Sequence, residues 1–154
     1  MTDLVSAAIA LAGLALTISE ELRARRAGIA ERREALSDAG AYIAGELAVL
    51  SGLEECASAY AAPGEAARRG EAVALRASRR SVSLARLCAF CERAEDLRTG
   101  LRRDRQLPDG AAYHLDGLLA DADRALRDAE RGAVPAPGLA PWRAEKLAAV
   151  LRDS

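Results

Sequence analysis

This sequence predicts an all-α fold: an antiparallel bundle of about four long helices, with an apolar helix in front and a short helix behind. Three observations carry that reading. Of 154 residues, 51% are hydrophobic but only 3% aromatic. Alanine and leucine supply most of the apolar content, 37 and 22 residues against 6 valines and 4 isoleucines, and so few β-branched and aromatic side chains do not build a sheet. Apolar positions also recur at threes and fours over long stretches, each closed by Pro or Gly. The length suits one domain. The 29% of charged residues nearly cancel to a net −1, which argues against disorder and against a strongly basic nucleic-acid binder.

The first helix is expected over 2–26, capped by Thr2 or Asp3. From Leu4 to Ser19 no residue is charged, and the large side chains Leu4, Val5, Ile9, Leu11, Leu14, Leu16 and Ile18 are spread around the helix. A helix that is apolar all round is buried in protein or in lipid. Sixteen residues span ~24 Å, short of the ~30 Å of a bilayer core, so a span would thin the bilayer or assemble with its copies. Burying seven such side chains is worth roughly 10–20 kcal/mol, as much as the net stability of a small domain. Ala8, Ala12, Gly13 and Ala15 leave room for tight helix–helix contact in either medium. On periodicity alone this helix reads as the centre of a soluble bundle. Its terminal position suits instead a segment that leaves the bundle.

The second helix, 30–60, carries a stripe of Leu36, Ala39, Ile43, Leu47, Leu50, Leu53, Cys56 and Tyr60. Gly28 marks either a break before it or a weak point in one long helix. Ala62-Pro63-Gly64 stops it. The third, 65–105, carries Val73, Ala77, Leu84, Leu87, Cys88, Cys91, Ala94, Leu97 and Leu101. The fourth starts after Pro108, with Asp109 as cap, and runs to 131 on Ala112, Leu115, Leu118, Leu119, Ala122, Ala125, Leu126 and Ala129. The bundle thus covers 1–131. A Pro/Gly linker follows over 132–140, then a short helix within 141–154, which Pro141 suits at its first turn. Folding back on the bundle is its default; Trp142, Leu147 and Leu151 are its candidate partner contacts.

Residues 29–64 hold 2 basic and 6 acidic side chains and residues 65–105 hold 11 and 6. Complementary packing of these two helices is the plain reading; a basic face for anionic lipid is the sharper one. Arg23, Arg25, Arg26, Arg79 and Arg80 are the candidate headgroup contacts, and Arg68, Arg69, Arg102, Arg103 and Arg105 form further clusters. The aromatic residues are not interleaved with these clusters, so base stacking and a nucleic-acid partner are not expected. Cys88-x-x-Cys91 shares a helix face and could ligate a metal with Cys56 or His114, but a structural zinc site normally takes four ligands. Buried packing is the better reading, and no cofactor or metal is expected. His114 with Asp109, Asp116, Asp121 and Asp123 shows none of the spacings of metal or triad chemistry, so no catalytic residue is assigned and an enzyme is not expected. Three cysteines fit a reducing cytoplasm, and Asp3, where an export signal carries a basic residue, argues against export.

The opening MTDLVSAAIALAGLALTISEELRARR resembles the start of HeLo and HeLo-like domains, found at the N-terminus of fungal NOD-like receptors and cell-death effectors. The helix pattern is similar to the four-helix killer domain of the mixed-lineage kinase-like necroptosis executioner and to bacterial Bell domains. The resemblance implies a cytoplasmic effector of programmed cell death in bacterial immunity, conflict or antiphage defence. Such an effector relocates to the inner membrane, exposes its N-terminal helix, oligomerises and forms pores. An upstream immune receptor or protease would trigger it. Carried over by position, Leu4, Ile9, Leu11, Leu14, Leu16 and Ile18 enter the lipid, with Val5 beside them. The tail GLAPWRAEKLAAVLRDS departs from the short amyloid motif of bacterial relatives and reads as helix, so a partner contact through the tail would replace amyloid templating. The alternative is a soluble helical adaptor or oligomerising module without membrane activity.

Overall fold

A computed structural model describes the backbone of residues 2–58, 66–132 and 139–154, and the side chains of 5–52, 77–132 and 139–154. Among these the chain is a bundle of four helices without a strand: α1 (Thr2–Ser58), α2 (Ala66–Arg103), α3 (Asp109–Glu130) and α4 (Ala140–Asp153). The expected first and second helices are one helix of 57 residues. Gly28 does not break it, because a glycine in a helix interior costs only about 1 kcal/mol and strong helix formers flank it on both sides. The stop at Pro63-Gly64 and most of the Pro/Gly linker lie outside the described residues.

α1 packs on α2, α3 and α4, and α3 packs on α2 and α4. The core is built on Leu36, Ile43, Leu87, Leu101, Leu115, Leu118 and Leu147, each fully buried. The periodic stripe of α1 (Leu36, Ala39, Ile43, Leu47, Leu50) is buried throughout. On α2 the expected stripe is corrected: Ala77 and Cys88 are exposed, while Ser83 is buried and Phe90 packs on the core edge. Periodicity set the period of that stripe correctly but its phase imperfectly, since small residues occupy both faces.

The pairing of α1 with α2 is fixed by long-range side-chain contacts. Arg32 bonds Asp104, Tyr42 stacks on Phe90 with centroids 4.6 Å apart, and Arg86 lies 3.7 Å from Glu46. α2 ends at a tight turn. The Gln106 amide donates to the Leu101 carbonyl at 2.9 Å and the Arg105 amide to the Arg102 carbonyl at 3.0 Å. Arg105 takes the left-handed conformation, φ 54°. This is the double-bonded helix stop usually built on glycine.

Asp109 is the first residue of α3 rather than its cap; Pro108 holds the cap position without a side-chain bond. There the Asp109 carboxylate complements the helix dipole. α4 folds back on the bundle. Leu147 and Leu151 are buried in the core, 0% and 5% exposed, which corrects their assignment as partner contacts. Close approach is possible because Gly40 of α1 faces Leu147: a Cβ there would sit 2.6 Å from Leu147 Cδ2.

Candidate functional site

The N-terminal part of α1 contributes no buried residue to the core. Residues 5–18 are exposed without exception. Val5, Ile9, Leu11, Leu14, Leu16, Ile18 and Leu22 stand 48–68% exposed. An 18-residue stretch near the N-terminus has a mean hydropathy of 1.5, is long and apolar enough to cross a membrane, and has none of its residues buried. The central-helix reading is therefore overturned: the apolar segment is a rod projecting from the bundle. Leu4 lies among the residues whose side chains are not described.

The rod divides into stripes. Leu11, Leu14, Ile18 and Leu22 cluster on one side and Val5, Ile9 and Leu16 on the opposite one, by the 100° advance of a helix. Ala8, Ala12 and Ala15 run between them along one edge and Gly13 lies on the other. All four are exposed, and a Cβ on Gly13 would find nothing within 4 Å. The hydroxyls are turned inward. Thr17 Oγ1 donates to the Gly13 carbonyl at 3.0 Å and Ser19 Oγ to the Leu16 carbonyl at 3.4 Å. A hydroxyl bonded to its own helix does not need water.

The base of the rod is charged. Glu20, Glu21, Arg23, Arg25 and Arg26 are exposed, and among the described residues the first ion pair from the rod to the bundle is that of Arg25, 3.7 Å from Asp104. Two turns further on, Arg32 and Arg33 grip the α2–α3 turn: Arg32 bonds the Asp104 carboxylate, and Arg33 donates to the Gln106 carbonyl at 3.0 Å. This brings Arg102, Arg103 and Arg105, all exposed, to the level of Arg25. Sequence spacing could not separate these three from the other arginine clusters, because only the α1–α2 register shows which cluster stands at the rod's base. Arg79 and Arg80 lie elsewhere. Arg80 is 23 residues from Arg103 on the same helix, ~35 Å at 1.5 Å per residue.

The other candidate groups do not converge. Asp116 lies 2.6 Å from Arg98, Asp121 3.6 Å from Arg143, and Asp123 2.8 Å from Arg127. His114 meets Tyr113 and Trp142 edge to face. Desolvation first, then the charges of Arg143 and Lys146, hold its pKa below the usual value. Cys91 is half-buried, and burial with the neighbouring Cys88 thiol pushes its pKa up to about 11. Cys88 is exposed, and the side chain of Cys56 is not described. Among the described residues no three His, Cys, Asp or Glu side chains gather as a metal site.

Trp142, 45% exposed, remains at the surface of α4. No family model, no curated protein and no solved structure matches the chain.

Proposed function

We propose that the protein is a membrane-targeting cell-death effector whose N-terminal rod enters the lipid bilayer, where oligomers permeabilise it. The bare apolar rod carries the reading. Seven large side chains about half exposed represent roughly 10 kcal/mol of unrealised burial, a load comparable with the net stability of a whole domain. Water is not their working environment. The uncharged residues 5–19 make a helix of ~22 Å, which spans the ~30 Å of a hydrocarbon core by thinning the bilayer or assembling with copies, and the inward-bonded hydroxyls suit that medium. The long-range pairs from Arg32–Asp104 to Glu46–Arg86 support an antiparallel α1–α2 hairpin, so the bundle hangs from one end of the rod. Arginine density on that side favours the cytoplasmic face for the bundle.

The rod is already bare in the single chain. Its exposure on activation is therefore the removal of a cover supplied by other molecules, a second copy or an upstream receptor, rather than a release from its own core. Insertion through Val5, Ile9, Leu11, Leu14, Leu16 and Ile18, with Ala8, Ala12, Gly13 and Ala15 at the contact between rods, completes the proposal.

A second reading is favoured by the small-residue edges of the rod: several copies pack their rods together in water, and the protein is an oligomerising adaptor. Dye-loaded anionic vesicles separate the two. The effector reading expects leakage that disappears on Leu11→Glu and on deletion of residues 2–19. A discrete oligomer in buffer that leaves vesicles intact at high loading would overturn it in favour of the adaptor.

A further inference from the structure

We propose that the α2–α3 turn is a second membrane-contact element, in which Arg102, Arg103 and Arg105 join Arg23, Arg25 and Arg26 in a collar for the phosphates of anionic lipid headgroups. The inference rests on the rod entering lipid and adds which lipid the protein prefers and which residues read it.

The collar is made by folding, since its two halves lie about 80 residues apart in the chain. The Arg32–Asp104 and Arg33–Gln106 contacts hold the turn against α1, and Arg25 at the base of the rod reaches the same Asp104 at 3.7 Å. Six exposed arginines then stand with Glu20, Glu21, Asp104 and, at the start of α3, Asp109, and Asp104 is already occupied by Arg32. Arg23, Arg26, Arg102, Arg103 and Arg105 form no ion pair among the described residues, unlike the arginines of α3, which pair with carboxylates of their own helix. Arg105 occupies a left-handed position where glycine is the usual residue, so a guanidinium stands there at some conformational cost.

Charge complementarity and continuity with the apolar rod select a lipid surface as occupant. With residues 5–19 in hydrocarbon, the turn that carries Arg23, Arg25 and Arg26 is at headgroup depth; Asp104 of the α2–α3 turn lies 3.7 Å from Arg25 there, and the clamp on Arg32 and Arg33 follows two turns further on. Arg79 and Arg80, ~35 Å along α2, are outside that layer, which replaces them as headgroup contacts. An arginine near an anionic surface raises partitioning about fivefold, so loss of three lowers it about a hundredfold.

The test is co-sedimentation of the full chain with vesicles of phosphatidylcholine alone and of phosphatidylcholine mixed with phosphatidylglycerol. The wild type should prefer the mixed vesicles. R102Q/R103Q/R105Q should lose about a hundredfold on them and nothing on neutral ones, and R79Q/R80Q should match the wild type on both. Circular dichroism checks that each variant is helical, and R23Q/R26Q serves as a second probe should the triple variant not fold. Equal binding to both vesicle types, an equal loss in R79Q/R80Q, or retention on duplex DNA without a preference for anionic vesicles would overturn the collar while leaving insertion of the rod intact. Binding to neither vesicle would overturn both readings.

Discussion

Arg32 and Asp104, 72 positions apart, form an ion pair at the level where α1 leaves the bundle. The Asp104 side chain is 16% exposed and that of Arg32 36%, so the pair is neither free in water nor fully desolvated. Asp104→Asn should cost about 1–3 kcal/mol, between the values for surface and buried pairs. Arg25→Gln, which touches only an exposed arginine at 3.7 Å, should cost under about 1 kcal/mol. Chemical denaturation midpoints read both, and equal effects would show that Asp104 does not hold the turn.

Two glycines of α1 should respond with opposite signs. A Cβ on Gly28 meets nothing within 4 Å, so Gly28→Ala gains helix propensity and should stabilise by about 0.5–1 kcal/mol. At Gly40 the space is filled by Leu147 and Leu118, and Gly40→Val should destabilise by about 1–3 kcal/mol through overpacking. Leu147→Ala should cost about 2–5 kcal/mol. Thermal melts followed by circular dichroism measure all three.

Acid should loosen the α3–α4 contact through His114. Its pKa is lowered in the folded protein, chiefly by desolvation and then by Arg143 and Lys146, so the unfolded chain binds the proton more readily. Stability from this group is complete above the unfolded value of about 6.5 and falls as pH drops through the lower folded value. His114→Gln should flatten this acid limb in denaturation curves measured between about pH 7 and 5. Trp142, the single tryptophan, lies against the imidazole, so its fluorescence should change over the same window in the wild type and not in the variant.

The two described cysteines should differ in reactivity. With a pKa of about 11, Cys91 holds only about a thousandth of its thiol as thiolate at pH 8, while Cys88 is exposed. Brief maleimide labelling followed by peptide mass mapping should modify Cys88 first. Preferential labelling of Cys91 would contradict the placement of this face of α2.

Most of the helical core was legible in the sequence. Leu36, Ile43, Leu47, Leu115, Leu118 and Ala122 follow the helical period strictly, and large aliphatic residues at threes and fours have only one way to bury together. The stop at Leu107-Pro108 was readable from proline. Three things were not. Gly28 looks the same in a break and in a continuous helix, because the choice rests on small propensity terms. The apolar rod reads identically whether sheathed or bare, since its composition says that water is excluded and not what excludes it. The collar depends on the α1–α2 register, set by the Arg32–Asp104 and Tyr42–Phe90 pairs, and no local pattern contains it.

Because α1 runs without a joint from the bare segment into the core, the two move as one stiff lever. A tilt of the segment in its surroundings would swing the whole bundle by the same angle, amplified over the ~45 Å between residues 25 and 55. Copies gathered by their projecting ends would therefore present their bundles in one shared orientation, with no swivel to scramble it.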